Sequence, residues 1–258
     1  MAGRSPVILQ AMGAVGVVTD PRRRAASGKI PPMQILALET STDSGSCALW
    51  LDGQLIERQC PPGRPHSETL LPLVRELLAE AGRKISQLDA IAFGVGPGAF
   101  TGLRVACGAA QGLAVAADVP LIQVTSLENL AAQTGKSRVL ALLDARMGEV
   151  YAGNYQAARD NYALLGEIRV AAPQAIEFPD GADWFAVGNA ITAYPALAER
   201  LAAAGVESLL GVMPTAATVA RIAAQRGGGI DPADAAPLYI RDKVAKTVAE
   251  RLREGGKA

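Results

Sequence analysis

The residues best placed to do chemistry lie in one glycine-rich run, Phe93-Gly94-Val95-Gly96-Pro97-Gly98-Ala99-Phe100-Thr101-Gly102-Leu103-Arg104. Glycine has no Cβ and accepts positive φ, so backbone there can close tightly on whatever lies opposite. A helix starting behind the run would turn free N–H groups toward an anion. The spacing Gly94-x-Gly96-x-x-Ala99 satisfies the dinucleotide fingerprint, with Asp118 about 20 residues on. Asp118, however, precedes its strand instead of ending one, so it would not reach a ribose. No Gly-Lys-Ser/Thr closes the loop, which removes the P-loop reading. A plain tight turn stays open on glycine use alone.

Other reactive side chains are sparse. His66 is the single histidine, with no Cys, Asp or second His at a catalytic spacing, so backbone bonding near a helix start is its expected role. Cys47, Cys60 and Cys107 are scattered and form no CxxC pair. They read as buried free thiols in a reducing compartment, and a zinc site is not expected. No Ser/His/Asp set is evident.

The elements that would carry these residues read as follows. Ile35 to Thr40, Gly45 to Leu51 and Leu55 to Cys60 are strands, the last two joined by the hairpin signal Asp52-Gly53. A helix from about Ser67 to Ala81 ends at Gly82, with Pro72 kinking it or marking its regular start. Asp89 to Val95 is a strand running into the glycine run, and Thr101 to Ala117 a helix. Leu121 to Val124 is a strand, and Ser126 is the expected N-cap of a helix to about Gln133. After Gly135-Lys136-Ser137 the pattern restarts. Val139 to Leu143, Glu149 to Gln156, Tyr162 to Val170 and Trp184 to Val187 read as strands, Ile191 to Ala204 and Thr215 to Gln225 as helices. A strand meander thus opens each of two halves, which suggests duplication. Three domains follow: an extension over residues 1–32 outside the fold, a first half over 33–137, and a smaller second half over 138–258 with a charged tail from Lys246.

Half the residues are apolar and the formal net charge is zero. A protein that grips nucleic acid alone usually carries a basic surplus, so any role near RNA needs a partner. No segment reads as long and apolar enough to span a bilayer. The run Thr101 to Ala117 is small nearly all round, and Gly108 and Gly112 lie one turn apart. With Leu71 and Leu78 standing off the apolar face of the preceding helix, a second buried side is expected.

Two duplicated halves, each opening on a hairpin, resemble the actin, sugar kinase and Hsp70 superfamily. The expected fold is therefore α/β, with two RNase H-like halves, each opening with an antiparallel three-strand meander, the second half reduced. In that superfamily the hairpin turns cradle nucleotide phosphates and carry a metal-binding aspartate. Here the first strand ends in Glu39-Thr40-Ser41 and the second counterpart in Asp144-Ala145-Arg146. At closer range, Leu38-Glu39-Thr40-Ser41, His66-Ser67-Glu68-Thr69-Leu70-Leu71-Pro72, Gly96 to Arg104, Leu143-Asp144-Ala145-Arg146 and Tyr239-Ile240-Arg241 together resemble the TsaB family.

That resemblance implies a non-catalytic dimerisation subunit of the bacterial machinery that makes threonylcarbamoyladenosine in tRNA. It implies a cytoplasmic protein paired with a paralogous catalytic subunit, TsaD, and through the complex with the ATPase TsaE. A homodimer would form through the same helices when the chain is alone. Contact with tRNA would be indirect, and no membrane role is implied. TsaD binds a metal through two histidines one helical turn apart. Ser126 and Leu130 stand at those positions here, and neither serves a transition metal. No catalytic or metal residue is therefore expected, and no cofactor of its own, with ATP or ADP only at a complex interface. Leu71, Val74, Leu78, Arg104, Val105, Gly108 and Gly112 are the expected partner interface. Glu39, Thr40, Ser41, Gly96, Pro97, Gly98 and Asp144 would line a vestigial nucleotide pocket. An independent ATP-dependent kinase or ATPase of the same fold remains the alternative; a peptidase-like protein is disfavoured for want of metal ligands.

Overall fold

The computed structural model describes residues 33–159 and 161–241, so the extension 1–32 and the charged tail lie outside the described residues. Five strands form the first sheet: β1 (Gln34–Glu39), β2 (Ser46–Leu51), β3 (Gln54–Gln59), β4 (Ala90–Gly96) and β5 (Leu121–Thr125). The order is β3-β2-β1-β4-β5, with β1 antiparallel to β2 and parallel to β4. Asp52 and Gly53 both take positive φ, 53° and 98°, as a two-residue hairpin turn between right-twisted strands requires. The continuous burial of Ile35 to Glu39 marks a strand covered on both faces.

The second sheet repeats the plan with β6 (Arg138–Asp144), β7 (Val150–Ala158), β8 (Asn161–Ala171), β9 (Trp184–Gly188) and β10 (Glu207–Leu210), in the order β10-β9-β6-β7-β8. Strands β6 to β8 are an antiparallel meander, and β9 is parallel to β6. This is the two-lobed, duplicated actin-like fold. The reduction of the second half falls on its helices. α1 (His66–Glu80) and α2 (Phe100–Ala117) have 15 and 18 residues, while α4 (Ala190–Ala193) and α5 (Pro195–Ala203) have 4 and 9.

The layers interleave the halves. α1 and α2 cover one face of the first sheet through Leu70, Val74, Leu77, Ala106 and Ala110, packed on Leu38, Leu49 and Phe93. The other face of that sheet is covered by α6 (Ala216–Arg226), which comes from the second half. Conversely α3 (Ser126–Ala132), from the first half, buries Leu127 and Leu130 against Val139, Ala141 and Tyr155 of the second sheet. α4 and α5 close that sheet's outer face with Ile191, Leu197 and Leu201.

Four expectations change. The helix expected over Ile191 to Ala204 is broken at Tyr194, because Pro195 cannot donate to a continuing ladder and starts α5 instead. β10 is an additional strand. The N-cap of α3 is Thr125, whose side chain accepts from the Glu128 N–H; Ser126 is buried inside the helix. Finally, α2 is long and apolar enough to cross a membrane by length and composition, with a mean hydropathy of 1.2. Its alanines supply that value. One side of it packs in the first core, yet only 33% of the helix is buried.

The halves are bolted together at α3 and α6. Asn129, fully buried, donates to Thr215 O (2.9 Å) and accepts from Thr215 N (3.2 Å). The first turn of α6 then donates to Ser46 Oγ and Glu57 Oε1 on the first sheet. Asn129→Ala strands Thr215 N, while Thr215 O keeps the Val219 N–H, and should lower stability by about 1–3 kcal/mol in denaturant titration.

Candidate functional site

The centre of the molecule is a contact between two loops. The β1–β2 turn, Thr40 to Gly45, sits inside the glycine run instead of beside it. Ala99 N donates to Ser41 O at 2.7 Å, and Thr40 Oγ1 donates to Gly102 O at 2.7 Å. A Cβ at Gly98 would overlap Ser41 O, and one at Gly102 would overlap Thr40 O. These glycines are required by close approach of the chain's own backbone. Gly96, at φ 113°, faces Leu238 O, 2.9 Å from where its Cβ would be. His66 pins the same turn from α1: its Nε2 donates to Thr42 O at 2.9 Å, while Nδ1 is buried without a partner.

A segment from Gly227 to Arg241 returns across both halves. Ile230 bridges Leu121, Gln111 Nε2 donates to Pro232 O and Ala235 O, and Leu238 N donates to Val95 O. Tyr239 then stacks on Phe100 at 5.4 Å and accepts from Arg104 Nε, whose guanidinium lies 3.7 Å from the Phe100 centroid. Arg241 reaches Ala145 O and Glu149 in the second half.

Between the two hairpin turns is a cavity of about 300 Å³. Ser41, Gly98 and Asp144 of the expected pocket line it; Glu39, Thr40, Gly96 and Pro97 do not. Phe100, Tyr239, Arg146 and Asp43 also contribute to its walls. Arg146 pairs with Asp43 across the cavity, joining the two turns. Asp144 Oδ1 accepts from Arg146 N (2.9 Å) and from Tyr194 (2.8 Å). Burial, then the Asp144 carboxylate, push the Tyr194 phenol up to about 12, so it keeps the proton that it donates.

Two of these groups are not set up for the superfamily's nucleotide and metal. The carbonyl of Ser41 takes the loop N–H of Ala99 that a phosphate would use. Glu39 is fully buried, and burial raises its pKa above the usual carboxylate range, which disfavours the charged form a metal needs. Among the described residues, no three His, Cys, Asp or Glu side chains stand together as a metal group. Ser126 and Leu130 are both fully buried, and the Ser126 hydroxyl has no partner. Cys47, Cys60 and Cys107 are buried free thiols. Burial, then Cys60, push the Cys47 thiol up to about 12.

The expected interface residues form a surface, with one correction. Gly108 and Gly112 are exposed, and an added Cβ at either would meet nothing within 4 Å. Arg104 is exposed beside half-buried Val105, and Leu71 (49% exposed) lies on α1 above half-buried Leu78. Val74 does not join them: it is 2% exposed and packs into the first core. Val115, 70% exposed, extends the surface and follows Gly108 and Gly112 at helical spacing, a signal readable in the sequence. The Asp43–Arg146 bridge and Tyr194 had no such signal.

Residues 62–247 match the family model described as "TsaD: tRNA N6-adenosine threonylcarbamoyltransferase". The "tRNA threonylcarbamoyladenosine biosynthesis protein TsaB" of Escherichia coli (strain K12) is 37% identical over 83% of this chain and 96% of its own length. The protein of the same name from Haemophilus influenzae is 35% identical over 65% of this chain and 77% of its own. A Pseudomonas aeruginosa crystal structure, described as an uncharacterized protein with similarity to peptidase YEAZ, superposes with a TM-score of 0.72 at 38% identity. It covers 81% of this chain and 100% of that one. By the identity and the span of these matches, on a shared two-lobed fold, the chain belongs to the TsaB family.

Proposed function

We propose that this chain is a non-catalytic dimerisation subunit required for threonylcarbamoyl transfer to N6 of the adenosine beside the tRNA anticodon. It docks on a TsaD-type catalytic subunit through the outer faces of α1 and α2, and reaches a TsaE-type ATPase through the complex. One observation carries this reading: an 18-residue apolar helix with two glycines, Gly108 and Gly112, open on an exposed surface. Small residues let a second helix backbone approach closely, and apolar neighbours such as Leu71 and Val115 supply area to bury. The names of the relatives and the matching TsaD-type family model support the pathway, and a cytoplasmic setting is part of the proposal. Net charge zero favours indirect contact with tRNA. Alone, the chain would pair with a second copy through the same face.

The absence of catalysis rests on the filled glycine loop and the buried Glu39. Any ATP or ADP would then be held at the complex interface and not by this chain. Isothermal titration of the isolated chain with ATP and magnesium should give no heat of binding; tight binding with turnover would establish the kinase or ATPase alternative.

Gly108→Arg places a charged side chain on the docking face at a position where an added Cβ meets nothing within 4 Å. Binding to TsaD, read by size-exclusion chromatography with light scattering, should weaken at least about thirtyfold, the scale of one interface hot spot. Circular dichroism should be unchanged. Retained co-purification would put the interface elsewhere.

A further inference from the structure

Glu39 is unused by docking and unfit for a metal, yet it lies fully buried at the end of β1 beneath the loop contact. Its Oε1 accepts from Ser41 N at 2.7 Å. Its Oε2 is buried with no hydrogen-bond partner, and Gly94 opposite leaves the space that the carboxyl fills. An ionised carboxylate seeks several donors, and a buried one lacking them is strongly disfavoured. The path outward is continuous: Glu39 holds Ser41 N, Ser41 O holds Ala99 N, and Ala99 O accepts from Leu103 N at 2.9 Å in the first turn of α2. Thr40, between them, grips Gly102 O.

We infer that Glu39 is a positioning residue: its carboxyl anchors the Thr40–Ser41 turn, and that turn sets the start of α2. Its consequence for partner binding rests on the α1/α2 docking face proposed above. The titratable group acting on Glu39 is His66 on α1; β2 brings Ser46 opposite it and β4 brings Gly94, while Gly98 and Gly102 of the glycine loop and α2 lie against Ser41 and Thr40, none of them ionisable. Burial is the largest influence on Glu39 and raises its pKa from 4.5; contacts from Ser41 and Thr40 and the His66 charge act the other way. The native carboxyl therefore keeps its proton to higher pH than the unfolded one. Its contribution to stability is fully present below the unfolded pKa, and is lost as pH rises through the folded pKa.

The test uses the full chain as wild type, Glu39→Gln and Glu39→Ala. Urea midpoints are compared from about pH 4 to about pH 8. The wild type should lose stability relative to Glu39→Gln as pH rises, the difference between the two profiles isolating Glu39 from His66. Parallel profiles would overturn the assignment. Hydrogen exchange then separates anchoring from mere core filling. In Glu39→Ala the Ala99 and Leu103 amides should lose at least about fivefold of their protection, the equivalent of one hydrogen bond, beyond any global change. Glu39→Gln, whose amide oxygen still accepts from Ser41, should keep it. Local protection unchanged in Glu39→Ala would overturn the positioning role. Binding to TsaD is measured on the same proteins. Failure of the wild type to bind would refute the docking face, while the two other readouts still decide the role of Glu39.

Discussion

The rest of the site depends on the seating of one peptide turn in the glycine loop. The carbonyls of Thr40 and Ser41 occupy the space that a Cβ at Gly102 or Gly98 would take. Two hydrogen bonds of 2.7 Å fix that seat. Once it is made, the loop N–H of Ala99 has a partner, Glu39 is sealed behind the turn, and α2 leaves the loop in one direction. The glycines that look from sequence like a phosphate cradle are instead the socket for the protein's own backbone. A phosphate would have to displace a carbonyl already bonded to Ala99.

Magnitude decides what holds the two halves together. The Arg146–Asp43 pair joins the hairpin turns, but both side chains are largely exposed, and such pairs contribute roughly 0–1 kcal/mol. The exchanged helices do more. α6 buries Val219, Ala220, Ile222 and Ala223 on the first sheet, and α3 buries Leu127 and Leu130 on the second. A fully buried leucine alone is worth about 2 kcal/mol. Because each half lends a helix to the other, neither sheet has both faces covered without its neighbour.

The first half is legible because its signals are local. Asp52-Gly53 can hardly be anything but a hairpin turn, and the buried runs of β1 and β4 are short and flanked by polar turns. Where the reading failed, two local signals competed. Apolar periodicity runs from Ile191 through Ala204, and it masks the break that Pro195 imposes. Thr125 and Ser126 are both good caps, and only backbone geometry chooses Thr125. β10 lacks alternation, being mostly exposed at the edge of its sheet. The site was less legible for a different reason. Thr40 and Gly102 are 62 residues apart, and Arg146 and Asp43 are 103 apart. No spacing rule reports such a meeting, so glycines serving a distant carbonyl look the same as glycines serving a ligand.

The two ends of that difference meet in α2. Its first turn is held by the seated turn, so it offers little to an anion. Its middle carries Gly108 and Gly112, each of which costs an exposed helix about 1 kcal/mol relative to alanine. Nothing within the described residues approaches either glycine closely enough to explain that cost. Gly98 and Gly102 differ, since each is forced by a carbonyl of the same chain. A helix that weakens itself twice on its open side, and stays apolar there, fits the proposed docking of a backbone from outside this chain. The same helix thus joins a loop filled by the chain's own backbone at its N-terminus to the proposed docking face along its flank.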